Sequence, residues 1–480
     1  MPASFLFYDL ETFGTDPRRT RIAQFAAIRT TLDLEEMEPP HEVFVRPAAD
    51  LLPSPGAALI TGITPQAAMQ RGVCEAEAFA RIHALMSEPQ TCSLGYNSLR
   101  FDDEFIRHGL FRNFFDPYER EWRNGNSRWD LLDVMRLAHA LRPEGITWPT
   151  REDGAPSFKL EHLAAANGVR EGDAHEAVSD VRALIGMARL FRQAQPRLWD
   201  YALRLRDKKF AGSLLDVAGV VPVLHVSQRF PATRLCAAPV APVARHPHVD
   251  NRVIVFDLAE DPELLLTLDA ETIAQRLYVS AEDRANGVAR VPLKEVHLNR
   301  SPMLVAWDHL RPADLERLRI DPAEVAARAA RIRERAGEIA EKVRQVFAAR
   351  ADYPPGDVDG ALYDGFLDDG DRRKFPDIRS TAPEALPARG FTFRDPRLPE
   401  LLFRYQARNW PESLDAAGIA RWREFRRARL GGAMPGSEFT FATYRAELAA
   451  MRTAHADDTR ALALLDAHAQ WADALEADLA

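Results

Sequence analysis

Cysteine is scarce: Cys74, Cys92 and Cys236 are the only three in a chain of 480 residues. They lie far apart and form no C-x-x-C, which excludes a disulfide framework and a cysteine-based zinc site and suits a reducing compartment. Long apolar runs are missing too. No stretch approaches the roughly 18 consecutive apolar residues of a membrane span. Acidic residues at positions 9 and 11 interrupt the N-terminus before a signal-peptide core forms. These absences lead us to expect a cytoplasmic protein without a membrane partner. Internal repeats and low-complexity tracts are likewise absent. Positive charge is in deficit, with 62 Lys and Arg against 71 Asp and Glu and a formal net charge of −9. Taken alone, that speaks mildly against a nucleic-acid partner, although a local groove can be basic on an acidic protein.

What is present describes a globular chain, 46% apolar and 28% charged, too long for one core. Residues 1–195 alternate strand-like and helix-like segments. FLFYDL, IAQFAAIRT (22–30), EVFVRP (42–47) and TCSLGY (91–96) read as strands, and 75–87, 101–113, 128–141, 158–166 and 174–193 as helices. Strands first and then strand–helix alternation predict an α/β domain with a mixed sheet. QPRLWDYALRLRDKKF (195–210) reads as one helix. VVPVLHVS, PVAPVARHPHVDNR and VIVFDLAE then predict a β-rich, barrel-like module to about residue 310, and 313–349 is a strongly helical run. ADYPPGD (351–357) is a linker by its Pro and Gly content, and the remainder is mostly helical. The expected domains are 1–195, 196–350 and 351–480.

FLFYDLETFG (5–14) places Asp9 and Glu11 one residue apart directly after an apolar run. On a strand both project from the same face, where two partly dehydrated carboxylates repel. A divalent cation would relieve that repulsion, whereas a D-x-E taken in isolation reads first as a solvated strand end before the turn at 14–17. Two later segments supply similar groups. GYNSLRFDDEF (95–105) carries Asp102 and Asp103 on a helix after a strand, where Asp102 could simply serve the helix dipole. GDAHEAVSDVRALIGMARL (172–190) predicts a helix with Asp173 as N-cap and Glu176 completing a capping box, bringing His175 and Asp180 into its first two turns. Those two stand about 140° apart on an ideal helix. Hard oxygen donors suit Mg²⁺ or Mn²⁺, and an imidazole beside them suits proton abstraction from water; the chemistry implied is phosphodiester hydrolysis.

Together the segments resemble the DEDDh exonuclease superfamily: D-x-E at Asp9 and Glu11, N-x-x-x-F-D at Asn97, Phe101 and Asp102, and H-x-x-x-x-D at His175 and Asp180. FYDLETFGTDP, AQFAAIRT, LITGITPQ, LGYNSLRFDDEF, NSRWDLLDVMRLAHALRPEGITWP, PSFKLEHLAAANGV and, later, LRPADLERL, LYDGF and LLFRYQARNWPESL closely resemble the bacterial exodeoxyribonuclease I family along essentially the whole chain. The resemblance implies an RNase H-like exonuclease domain, an SH3-like middle domain and a helical C-terminal domain enclosing single-stranded DNA. It implies processive 3′→5′ release of mononucleotides in DNA repair and recombination. Two Mg²⁺ (or Mn²⁺) ions would be held by Asp9, Glu11 and Asp180, with Asp102 supporting one through water and His175 as general base. The rival functions are the same chemistry on RNA ends or in proofreading, and a non-catalytic single-strand-binding protein.

RHGLFRNFFDPYEREWRNGNSRWD (107–130) interleaves arginines with aromatic residues, a pattern that fits either a single-strand grip or a surface helix with a buried aromatic side. With the resemblance, Arg107, Tyr118, Trp122 and Arg136 become the expected DNA track, alongside Glu11. Lys159, in the first turn of a helix that Ser157 could cap, is expected to reach terminal phosphates, and Phe13 to wedge against the terminal base. The resemblance also implies that the acidic C-terminal tail of single-stranded DNA-binding protein is a partner. Arg142, Tyr201, Arg311 and Arg333 are its candidate contacts. Nothing in the sequence argues for an obligate oligomer, so a monomer is expected.

Overall fold

The computed structural model describes residues 3–170, 176–280, 282–283, 286–348, 356–434 and 436–480. The chain forms two compact units: Met1–Ser127 with Glu171–Arg182 and Pro354–Ala480, and Arg128–Arg170 with Ala183–Tyr353. In the first unit β1 (Ser4–Thr12), β2 (Ile22–Thr30), β3 (His41–Phe44) and β4 (Thr91–Gly95) run in the order β3-β2-β1-β4. β1 pairs antiparallel with β2, Asp9 opposite Ala26 and Glu11 opposite Gln24, and parallel with β4, Phe7 opposite Leu94. The sheet is therefore mixed, as expected. Leu6, Tyr8 and Leu10 pack with Phe79, Ile82, Phe105, Ile106 and Leu110 of the Glu75–Met86 and Asp102–Arg112 helices. Strand alternation then leaves Asp9 and Glu11 on the opposite face. The helical C-terminal part joins this unit: Tyr444, Leu448 and Leu465 cluster with Leu52, and the Tyr444 hydroxyl donates to the Pro53 carbonyl at 2.8 Å.

β5 (Ser127–Asp130) is where the chain passes from the first unit to the second. The second unit holds an all-antiparallel sheet, β10-β6-β7-β8-β9, made of β6 (Val223–Val226), β7 (Ala237–Arg245), β8 (Arg252–Asp257), β9 (Leu293–His297) and β10 (Met303–Ala306). The register slips between Pro242 and Ala244 in β7, as expected where a proline withholds an N–H from the ladder. Helices Pro322–Glu334 and Ala336–Ala348 pack Val325, Ile332, Ile339 and Val343 onto Ile254 and Phe256.

Two helices expected from the sequence are broken, and one helical run is divided. The 128–141 segment begins as strand and turns helical only at Leu131, where the Asp130 carboxylate accepts from the Leu132 N–H at 3.0 Å. The 195–210 segment is two helices, Pro196–Arg204 and Lys208–Ser213, the second capped by Asp207. The 313–349 run is three, interrupted first where Arg319 takes a left-handed φ of 55° ahead of Asp321-Pro322. In each case a capping aspartate or a helix-starting proline overrides good helix propensity. Most of the expected linker, 351–355, lies outside the described residues.

Candidate active site

β1 supplies the first two acids. Residues 5–8 are fully buried, so the strand is fixed by its core side, and Asp9 and Glu11 emerge from the other face at its carboxyl end. The third comes from the Ala177–Ala194 helix, whose opening turn bonds the Asp180 N–H to the Glu176 carbonyl at 3.0 Å. One carboxylate oxygen from each of Asp9, Glu11 and Asp180 lies within 4.8 Å of the other two. Glu11 is only 8% exposed. Burial, followed by repulsion from Asp180, pushes the Asp9 carboxyl up to about 8. Burial, then Asp9 and Asp180, pushes Glu11 up to about 9. Each unit of such a shift corresponds to about 1.4 kcal/mol against the charged form. An all-oxygen, triply acidic, half-dehydrated set with this electrostatic cost fits a hard divalent cation such as Mg²⁺ or Mn²⁺, which would neutralise it.

Asp102 is buried, 4% exposed, and opens the Asp102–Arg112 helix that follows β4. It stands outside the three-oxygen set. At the end of β4, Gly95 packs tightly on β1: an added Cβ there would lie 2.9 Å from the Tyr8 carbonyl and 2.7 Å from the Ser98 Cβ. His175 and its expected capping partner Asp173 lie outside the described residues.

The expected DNA-track residues fare unequally. Trp122 is 65% exposed, a ring free to stack. Arg107 is not a free cation: it donates to Glu121 at 2.7 and 2.9 Å and to Glu104 at 2.9 Å, and its guanidinium lies 5.4 Å from the half-buried Tyr118 ring. Arg136 is largely buried, donating to Asp133 at 2.6 Å beside the Phe158 ring. Phe13 is a correction. It is 3% exposed and packs with Ala23, Leu51 and Ala68, so it presents no face to a base. Lys159 precedes the first turn of the Leu160–Ala166 helix instead of sitting in it, and is exposed with its ammonium 3.2 Å from Glu161. Ser157 does not cap that helix; its hydroxyl meets His162 Nδ1 at 2.8 Å.

Of the four expected partner contacts, Arg142 and Arg311 converge on Asp314, at 2.6 and 2.9 Å. Tyr201 donates to the Leu304 carbonyl at 2.8 Å and Arg333 to the Gly219 carbonyl at 2.7 Å. Two features escaped the sequence reading. Phe366 stands wholly in solvent, three residues beyond Tyr363, whose hydroxyl donates to Glu104 at 2.5 Å. Glu438 presses its carboxylate on Gly14, just past the metal-suited pair, and burial followed by Asp16 raises its carboxyl to about 7. LYDGF could have flagged Phe366; nothing in the run around 438 signals its neighbour 424 residues earlier in the chain.

Comparison with known proteins covers nearly the whole chain. Residues 6–187 match the family described as exonuclease, 206–349 the exonuclease I SH3-like domain and 356–475 the exonuclease I C-terminal domain. Exodeoxyribonuclease I of Escherichia coli K12 is 47% identical over 98% of both chains, and that of Haemophilus influenzae 40% identical over 96% of both. Among solved structures, E. coli exonuclease I in complex with a dA16 oligonucleotide superposes with a TM-score of 0.94 at 46% identity, covering 98% of this chain and 100% of that one. A zinc-bound E. coli exonuclease I–single-stranded DNA complex (TM-score 0.93) and an SSB/exonuclease I structure with an inhibitor (0.89), each at 46% identity, cover 99% of this chain and 100% of theirs. With its acids gathered at the carboxyl end of β1 and every domain matched along its length, this chain belongs to the exodeoxyribonuclease I family and is a nuclease.

Proposed function

We propose that the protein is a processive 3′→5′ exonuclease that hydrolyses single-stranded DNA to 5′-mononucleotides in repair and recombination. The reading is carried by one observation: Asp9, Glu11 and Asp180 place three carboxylate oxygens within 4.8 Å of each other in a chain built throughout like relatives that bind single-stranded DNA. It takes the chain as three domains, 1–195, 196–350 and 351–480.

Asp9, Glu11 and Asp180 would hold two Mg²⁺ (or Mn²⁺) ions, with Asp102 supporting one of them. The bound ions supply charge neutralisation at the scissile phosphodiester and a more acidic water. His175 would serve as general base toward the attacking water. Trp122 and Tyr118 offer stacking surfaces to successive bases, Arg136 and Lys159 positive charge to the phosphates, and Glu11 borders the terminal nucleotide. Arg107 acts indirectly, by holding the segment that carries both rings. Arg142, Tyr201, Arg311 and Arg333 form the docking region for the acidic tail of single-stranded DNA-binding protein; the SSB/exonuclease I structure of a relative supports a partner of that kind.

The test uses single-stranded DNA labelled at its 3′ or its 5′ end, with Mg²⁺ and with EDTA. We expect the 3′ label to leave at once as mononucleotide, the 5′ label only at the end, and EDTA to stop both. Binding without shortening under any divalent metal would replace this reading with a single-strand-binding protein, and preferential decay of a matched RNA would replace the substrate. Trp122→Ala is expected to weaken oligonucleotide affinity by about 1–3 kcal/mol, the worth of one stacked base. Single-turnover cleavage of a short saturating oligomer should change far less. Equal losses in both measurements would remove Trp122 from the track.

A further inference from the structure

The first unit contains a buried polar network that the proposed chemistry does not use. The Tyr8 hydroxyl donates to Asp103 Oδ1 at 2.8 Å, and Arg120 Nη2 donates to the same oxygen at 2.5 Å. Tyr8, Asp103 and Arg120 are 1%, 1% and 2% exposed. Arg120 Nε and Nη1 find no hydrogen-bond partner among the described residues. Donors left in that state carry an uncompensated desolvation cost, and an apolar side chain of similar volume would pack at lower cost. A costly buried cation beside a working site calls for a role in holding geometry.

We propose that Asp103 is a positioning residue: one carboxylate that sets the metal acids through Tyr8 and the strand-gripping segment 118–122 through Arg120. Each half follows from chain connectivity. Tyr8 immediately precedes Asp9 on β1, and its ring is locked in the core, stacked at 6.2 Å on Phe25. Asp103 immediately follows Asp102 in the first turn of its helix. The Tyr8–Asp103 bond therefore ties the start of that helix to the strand bearing Asp9 and Glu11, and fixing one helical residue fixes the direction of the next. On the other side, Arg120 lies between Tyr118 and Trp122. The turn it occupies is clipped twice to the same helix, by Arg120 to Asp103 and by Glu121 to Arg107 at 2.7 Å. Spacing between the acids and the gripped strand is thereby set by one helix end. A near-attack geometry depends on such spacing to within fractions of an ångström.

The inference rests on the nuclease reading, and two single variants separate its halves. Tyr8→Phe removes one hydrogen bond and no charge. It should raise the half-saturating Mg²⁺ concentration, read by thermal shift on the full chain, about five- to tenfold, and slow single-turnover cleavage by a similar factor, the scale of one buried hydrogen bond. Oligonucleotide affinity, read by anisotropy in EDTA, should stay within about twofold. Arg120→Met should do the reverse, weakening oligonucleotide affinity about five- to tenfold while leaving Mg²⁺ half-saturation within about twofold. Both variants lowering the melting temperature with Mg²⁺ half-saturation and DNA affinity intact would overturn the proposal, as would equal losses of both in each variant. A wild-type chain that binds Mg²⁺ and oligonucleotide without shortening it would remove the nuclease reading alone, because the two binding measurements still decide this inference.

Discussion

Asp180→Asn is expected to reduce single-stranded DNA hydrolysis by at least about a thousandfold, the scale on which a group acting only in the transition state is felt. The same substitution should make the metal-free protein more stable. Asp180 lies within 4.8 Å of Asp9 and Glu11, whose carboxyls are pushed to about 8 and about 9 by burial and mutual repulsion. In an unfolded chain both titrate near 4, so between pH 4 and 9 the folded state holds more protons than the unfolded one. The contribution of these two groups to stability is then full below pH 4 and is lost as pH rises through 8 to 9. Removing one of the three charges should flatten that decline, so Asp180→Asn in EDTA should melt higher than wild type at pH 8.5 and nearly level with it at pH 5. Adding Mg²⁺ should stabilise wild type more at pH 8.5 than at pH 6, because protons compete for the ligands. It should do less for the variant. A variant with wild-type turnover, or one no more stable in EDTA at pH 8.5, would remove Asp180 from the set.

The acids were legible in the sequence because strand periodicity is strict: a D-x-E after an apolar run must present both carboxylates to one face. Whether they met a third was not legible. Asp180 arrives from a helix 169 residues later, and only the resemblance linked it to them. Phe13 shows where position beside the acids misleads. Continued alternation would put residue 13 on the face of 9 and 11, but the register shifts between Glu11 and Thr12, and Phe13 goes into the core with Ala23 and Leu51. Arg107 fails differently. Its neighbour Glu104 is visible at helical spacing, but Glu121 comes from a turn 14 residues on and converts an apparent phosphate contact into a buried ion pair. Sequence composition cannot report such long-range neutralisation. The same limit hid Asp359, whose significance lies entirely in partners from distant segments.

Asp359 is fully buried and surrounded by arginines: Arg408 at 2.5 and 2.7 Å, Arg429 at 2.9 Å, Arg404 at 3.2 Å and Arg21 at 3.4 Å. Asp50 shares Arg408 at 2.8 Å, and Glu75 shares Arg21 at 3.6 Å. The network thus joins residues 21, 50 and 75 to helices of the C-terminal part. Despite burial, the arginines hold the Asp359 carboxyl well below its ordinary range, while burial and neighbouring Arg112 lower Arg21 to about 9. Asp359→Asn keeps the shape and removes the charge, leaving buried guanidinium groups uncompensated. Breaking a buried pair in this way costs on the order of 3–5 kcal/mol. We expect a correspondingly lower urea midpoint, whereas Glu341→Gln, which loses only an exposed pair with Arg344, should leave it unchanged. The pH dependence runs opposite to that of the metal acids. A depressed carboxyl contributes stability that is present above pH 4 and lost as pH falls through its folded value. Wild type in EDTA should therefore be most stable in a window above the acid limb set by Asp359 and below the alkaline limb set by Asp9 and Glu11. In Asp359→Asn the acid limb should flatten while the alkaline limb remains; an unchanged acid limb would show that Asp359 does not govern it.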